Sequence, residues 1–440
     1  MLAITGASIG PAFALATIFG PMVVAGGGAT PVALLVVTAI MACVAIAYQR
    51  LGARYPTAGS AYSWVGTAFG PAAGAYAAWL LIVANIFAVV AICVPAGTYT
   101  LALVAPAFAG IPAAAAAVGA LWALAGGLLL ASGLHEAALV TKALWIAEMS
   151  LLGLGAITAF IHPVVPHAAV AAAFPGNAAF LAALVIGIWM IDGWEVSAST
   201  AEETTSAQSA GIGGFAGLLI SAAVLLVAML AFMRVGTLDG FTLHEGDTLA
   251  YVAGQLGGAV WQHIVTATVL VSLAATLQTT LVYLTRSFYA MGRDGVLPAF
   301  LGELDARDQP ARATVLITAV AMVFTLGSGI SPTVKTAFDF ILSGTSAFLG
   351  FLFVLAALAA CRLFAGDSKR RASGVFMPAA GALSLGFLLV ALFAQADPAT
   401  RAFILVAAAL GVPLAVWRGR LRGRTTRGGS DGTVRASALD

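Results

Sequence analysis

Two carboxylates, Asp192 and Glu195, interrupt an apolar run that reads Gly187-Ile-Trp-Met-Ile-Asp-Gly-Trp-Glu-Val-Ser-Ala-Ser-Thr-Ala-Glu-Glu203. An ionisable side chain at the centre of a membrane helix costs roughly 2.5–3.5 kcal/mol, so a pair of them implies a solute or a proton to bind. Three residues apart, they share one face of a continuous helix; unwinding at Gly193 instead lets one address a pocket while the other serves helix packing. A carboxylate in a low-dielectric cleft makes a strong charge-assisted hydrogen bond to an ammonium or guanidinium group, whereas the carboxylate of a zwitterion meets like charge there. The alternative is that both acids are protonated, or are capped by backbone amides freed at the break. Trp194 between them offers either a cation–π face or an ordinary packing surface. Thr276, with Ser272 and Gln278 at helical spacing, either lines a pocket or joins helices. Glu148 is a third acid inside an apolar stretch.

Other chemistries lack their residues. No HExxH or Cys/His cluster occurs, so a membrane-embedded enzyme is disfavoured, and neither a cofactor nor a metal is expected. Cys43, Cys93 and Cys361 lie in or beside apolar runs without CxxC spacing and read as small packing residues. The polar residues form isolated islands, unlike the continuous lining of a channel.

The elements that must position the acids are membrane helices. The chain is 61% hydrophobic and 9% charged, with a mean hydropathy of +1.02, a surface that no soluble domain of this length carries. The reading is an all-α polytopic membrane protein with about twelve spans. Their expected bounds are 3–26, 31–49, 70–103, 112–131, 134–160, 178–200, 212–235, 260–289, 312–329, 336–362, 374–395 and 400–418. The first run has no basic leader or cleavage signal and reads as a membrane helix rather than a signal peptide. Residues 55–64 read as a turn and a short interfacial helix, and 236–258 as a partly helical outer cap. His162 and His167 fall in another outer loop, as solvated residues.

Net charge is only +2, but arginines and lysines gather around Arg50–Arg54, Arg286–Arg312, Arg362–Arg371 and Arg418–Arg427. With alternating spans these clusters share one side, which the positive-inside rule makes cytoplasmic, together with both termini. The expected location is the plasma (inner) membrane. The terminal arginines read as a topology determinant before a disordered tail over 419–440, with no nucleic-acid role.

Two spans carry breaks at corresponding places, Gly6…Gly10-Pro11 in the first and Asp192-Gly193 in the sixth. Proline removes a backbone donor and glycine permits unwinding, which frees backbone groups to meet a solute near the midplane. Paired interruptions of this kind point to an inverted-repeat secondary transporter, with repeats over 1–160 and 178–362 and two peripheral helices over 374–418.

Assembled in order, Ala53-Arg-Tyr-Pro-Thr-Ala-Gly-Ser-Ala-Tyr62, Asp192-Gly-Trp-Glu195 with Ala201-Glu-Glu-Thr204, and Thr285-Arg-Ser-Phe-Tyr-Ala-Met-Gly-Arg-Asp-Gly-Val-Leu-Pro298 resemble the amino acid-polyamine-organocation transporter superfamily over about residues 4–418. The resemblance implies a five-plus-five inverted-repeat core, alternating access, and a substrate pocket between the broken first and sixth spans and the third and eighth. Many members bind a substrate carboxylate on backbone N–H groups of a Gly-Ser-Gly-Ile-like loop. Here Ser8-Ile-Gly-Pro-Ala-Phe13 puts Pro11 where a donor is expected, a pattern closer to putrescine importers and related amine permeases. By the same resemblance, Trp194 aligns with an aromatic that closes over substrate from outside, and Asn85 occupies a position of the third span that either sets specificity or makes a helix–helix hydrogen bond. Glu148 falls where sodium sits in sodium-coupled cousins, and a carboxylate there would take up and release a proton as its surroundings dry and wet; the alternative is an acid held permanently by hydrogen bonds to a Ser or Thr of a neighbouring span. Ser343-Gly-Thr345 reads as a gate contact, and Arg286, Arg293, Asp294, Glu202 and Glu203 as anchors or inner-gate groups.

The expectation is a secondary transporter, monomer or homodimer, that imports a small organic amine, polyamine or cationic amino acid by proton symport. The substrate-binding residues are then Gly10, Pro11, Asn85, Asp192, Gly193, Trp194, Glu195 and Thr276, with Glu148 coupling protons. The alternative is a neutral amino acid permease or exchanger.

Overall fold

The computed structural model describes residues 1–161, 175–203 and 207–427, without the side chains of 134–137, 203, 207 and 421–427. His162, His167 and the side chain of Glu203 lie outside the described residues.

The described chain is helical throughout, and prolines and glycines set where its helices start and stop. The first span is broken into α1 (Leu2–Ile9), α2 (Pro11–Thr17) and α3 (Phe19–Gly26). A short turn leads into α4 (Thr30–Arg54), and α5 (Ser60–Phe69) is the short helix expected after it. Gly70, at φ 97°, and Pro71 then open α6 (Pro71–Val104). Next come α7 (Pro112–Ser132), α8 (Leu134–Ile161) and α9 (Asn177–Met190). A 3₁₀ segment, Trp194–Glu203, completes the sixth span before α10 (Ala207–Phe232). The outer cap is α11 (Leu238–Leu243) and the first turns of α12 (Thr248–Arg293), which bends at Gly257–Gly258 before entering the bundle. The chain ends with α13 (Ala311–Ser328), α14 (Val334–Phe364), α15 (Met377–Gln395) and α16 (Pro398–Arg427).

Among the described residues, eleven helical stretches are long and apolar enough to cross a membrane. The difference from about twelve expected spans has a local cause: breaks at Gly10 and Ile18 leave Leu2–Thr17 too short to count, and α3 runs on through a turn into α4. The last helix continues past the expected end at 418, through Arg427, and 428–440 lie outside the described residues.

The broken spans lie at the centre. α12 packs on α1, α2, α6, α8 and the 3₁₀ segment, while α15 and α16 sit outside, against α14 and α6. Small residues allow the closest approaches: a methyl added at Gly97 of α6 would lie 2.0 Å from the Ala115 carbonyl of α7. Arg54 over Tyr55, Arg362 over Phe69, and Arg293 and Arg418 around a shared cavity all fall at one end of the bundle, termed here the basic face. Met1, beside Thr200, lies at that end too.

Candidate substrate site

The first break is pinned by side chains of two other helices. Gly10 adopts the left-handed conformation at φ 58°, ending α1 and starting α2. Helix termini leave backbone donors and acceptors unpaired, and here each finds a partner. Pro11 has no N–H to offer. Ala12 N donates to Glu148 Oε1 at 2.8 Å, and Phe13 N to Ser272 Oγ at 3.1 Å. Ser272 Oγ donates in turn to Glu148 Oε1 at 2.6 Å. On the other side of the break, Thr276 Oγ1 donates to the Ala7 carbonyl at 2.9 Å. Glu148, fully buried, thus serves α2 as an N-terminal cap, and its Oε2 has no hydrogen-bond partner among the described residues.

The second break lies directly against the first. After Met190 the helix stops, and Gly193 takes φ 98°. A methyl at Gly193 would stand 2.7 Å from the Ser8 carbonyl oxygen, so only glycine lets the two unwound segments touch. The Gly193 amide lies beside the carboxyls of Asp192 and Glu195. Asp192 Oδ1 and Glu195 Oε2 remain buried without a partner among the described residues.

Both acids line a cavity of about 40 Å³, whose other polar walls are Ser8, Asn85, Thr276 and Thr280. Ile9, Phe13, Ile92, Trp189 and Leu349 form its apolar side. By volume it holds roughly two or three waters. Asn85 commits one amide hydrogen to the Leu81 carbonyl of its own helix, at 3.0 Å. Of the residues expected from sequence, Asn85, Asp192, Gly193, Glu195 and Thr276 are therefore brought to one cavity. Gly10 and Pro11 shape the break beside it, and Glu148 stands behind α2, away from the cavity wall.

Trp194 is placed apart from these residues. It does not line the cavity; its ring packs 5.0 Å from Tyr48 and 5.2 Å from Phe353, buried on the side of the basic face. The 3₁₀ geometry after Gly193 turns consecutive side chains 120° apart and sends Trp194 away from the wall that Glu195 faces. The aromatic on the far side of the cavity is Trp189, which also borders an outer vestibule of about 270 Å³. Phe13 meets Phe338 edge-on at 6.5 Å beside it. Sequence reasoning missed Trp189; its place in the last turn of α9 before the break was the available signal. Ser343 borders the outer vestibule, and Thr345 bonds back to the Ile341 carbonyl.

At the basic face Arg293 makes a two-pronged pair with Glu202, both contacts at 3.1 Å. Glu202 Oε1 also accepts from Ala58 N at 2.9 Å, and Tyr62 donates to Asp294 Oδ2 at 2.9 Å. These contacts tie the end of the sixth span to α12 and to the turn before α5. At the opposite face Asp247 caps α12 through Ala250 N and accepts from the Tyr99 hydroxyl at 3.0 Å. Burial pushes the Asp247 carboxyl up to about 6 despite those hydrogen bonds. Among the described residues, no group of three or more His, Cys, Asp or Glu side chains is placed to hold a metal ion.

Comparison with known proteins adds the family relationship. Residues 1–414 match the amino acid permease family. A branched-chain amino acid permease of Lactococcus lactis subsp. cremoris is 26% identical over 300 residues, 64% of this chain and 64% of the relative. A vacuolar cationic amino acid transporter of Arabidopsis thaliana is 30% identical over 153 residues, 34% of this chain and 25% of the relative. The matched stretches thus span less than two thirds of either relative's length.

Proposed function

The chain belongs to the amino acid permease family, and from that premise we propose that it is a secondary transporter whose substrate brings an ammonium group to Asp192 and Glu195. The observation that carries this reading is the pair of buried carboxyl oxygens, Asp192 Oδ1 and Glu195 Oε2, left without partners among the described residues at the cavity. Buried carboxyl oxygens require a proton or a cation, and an ammonium supplies up to three donors. The first break favours a substrate without a carboxylate at that point. Pro11 has no donor, and the amides of Ala12 and Phe13 are held by Glu148 and Ser272. A small organic amine fits this pattern, as does a cationic amino acid whose carboxylate is held away from the first break, imported by proton symport with Glu148 exchanging the coupled proton.

A second reading, a neutral branched-chain amino acid, is favoured by the apolar wall of Ile9, Phe13, Ile92 and Leu349 and by the likeness to a branched-chain permease. In both readings the ammonium binds the sixth span. Closure by Trp189 and Phe338 on one side and by Arg293–Glu202 on the other supports alternating access around an occluded site. The basic face would be cytoplasmic in a plasma membrane.

The test is solid-supported-membrane current from proteoliposomes given putrescine, L-lysine or L-leucine, with and without an inward proton gradient. Currents for putrescine or L-lysine support the cationic reading, and currents for L-leucine alone support the second. In either case Asp192→Asn should reduce transport by about 10- to 100-fold, the worth of one charge-assisted hydrogen bond. Unchanged transport in that variant removes Asp192 from the site.

A further inference from the structure

Between the cavity and the basic face lie buried polar groups: Glu195 Oε2, Trp194 Nε1 and the Tyr48 hydroxyl, which have no hydrogen-bond partner among the described residues, and the hydroxyls of Tyr283 and Ser60, which lie within reach of each other. None of these residues is more than 3% exposed. Unpaired polar groups in so dry a place cost stability, and several together need a common reason. They are contiguous. Tyr48 packs edge-on against Trp194 at 5.0 Å and Trp64 at 5.1 Å. The Tyr283 hydroxyl lies near Tyr48, Glu195 and Ser60.

Ser60 carries a second signature. It opens α5 at φ 48°, a left-handed conformation that a non-glycine residue adopts at a cost, while fully buried. Within the same helix Ser63, also with an unpartnered Oγ, borders a cavity of about 810 Å³ that opens at the basic face. Glu195, Tyr48 and Tyr283 thus sit together, with Ser60 beside Tyr283 and Ser63 one turn further along α5 at the vestibule. Of the elements packed on the 3₁₀ segment, α4 brings Tyr48 and α12 brings Tyr283 toward Glu195, with Asp192 on the segment's own chain. The sequences of α1 and α10 contain no titratable side chain.

We propose that these hydroxyls, with waters between them, form a proton file that carries a proton between Glu195 and the vestibule of the basic face. Each hydroxyl accepts a hydrogen on one side as it releases its own on the other. One proton leaves Glu195, one emerges at the vestibule, and every hydroxyl ends neutral. The file rests on the proton-symport reading above and adds to it a route separate from Glu148, which faces α2 and α12 instead.

The test uses the full-length chain in proteoliposomes with a pH-sensitive dye inside. The probe is whichever of putrescine, L-lysine and L-leucine the wild type takes up best. Tyr283→Phe, Tyr48→Phe and Ser60→Ala each remove one oxygen. Probe-driven proton entry should slow roughly tenfold in Tyr283→Phe and measurably in the other two, as expected for loss of a positioned proton-transfer group. Counterflow of the probe at equal pH on both sides, which also reports folding, should remain close to wild type. Wild-type proton entry in all three variants overturns the file. If Tyr283→Phe loses counterflow as well, Tyr48→Phe and Ser60→Ala decide: slowed proton entry with intact counterflow supports the file, and wild-type entry overturns it. A wild-type chain that accumulates probe with no proton movement overturns the symport reading itself, a result that needs no variant and takes the file down with it.

Discussion

At the scale of single residues, Glu148 combines two jobs that substitutions can separate. Its Oε1 receives Ala12 N and Ser272 Oγ, which an amide oxygen would also do, whereas only the acid can exchange a proton. Glu148→Gln should therefore fold and bind substrate while transport loses its response to a proton gradient; accumulation that still follows the gradient would place coupling elsewhere. Glu148→Ala strands the Ala12 amide and should lower stability by about 1–3 kcal/mol, seen as a fall in thermal midpoint. Asp247 makes a pH prediction of the opposite kind. Its carboxyl titrates at about 6, above the ~3.9 of an unfolded chain, so the fold favours the neutral acid. That contribution is fully present below about pH 4 and is lost as pH rises through about 6. Protection against hydrogen exchange at the outer end of α12, taken relative to the intrinsic rate at each pH, should fall across this interval in the wild type and stay flat in Asp247→Asn. An unchanged profile in the variant would assign the effect to another group.

At the scale of elements, the two breaks depend on glycine. Gly193 has both a positive φ and the Ser8 carbonyl 2.7 Å from where a methyl would stand, so Gly193→Ala should separate the unwound segments and abolish transport. Gly153→Ala is the control, since a methyl there meets nothing within 4 Å, and it should leave uptake and thermal midpoint near wild type. Equal behaviour of the two variants would mean that the segments do not need to touch. Most elements were legible in the sequence because a membrane helix writes itself as an apolar run bounded by proline, glycine and charge, as at Gly70-Pro71 and at Ser132-Gly133. The breaks were legible too, from Pro11 and from Gly193 beside an acid. The direction of side chains after a break was not. Trp194 and Trp189 look equivalent as letters flanking Asp192, and only the switch from α to 3₁₀ winding decides which one meets the cavity. Glu148 could be recognised as a buried acid, but its partners lie far away in sequence, at Ala12 and Ser272.

At the scale of the whole molecule, the ion pair of Arg293 with Glu202 ties the end of the sixth span to α12 at the basic face. Both side chains are more than a third exposed, so solvent weakens the pair, and its loss should shift the balance of states by about 1 kcal/mol, a several-fold change. Arg293→Ala should accordingly raise several-fold the labelling rate of a cysteine introduced at Ser199 by a reagent reaching the basic face. The double variant Arg293→Glu with Glu202→Arg should return it toward wild type. Equal labelling in all three proteins would show that the aromatic layer of Tyr48, Trp194 and Phe353 closes this face unaided. The size of the central cavity has a kinetic consequence. At about 40 Å³ it has no room for a molecule as large as an amino acid until its walls move apart. Entry must then wait on a motion of the protein that the solute does not speed up. The observed rate of binding, followed in a stopped flow, should level off as ligand concentration rises, and the plateau would report how often an empty carrier opens.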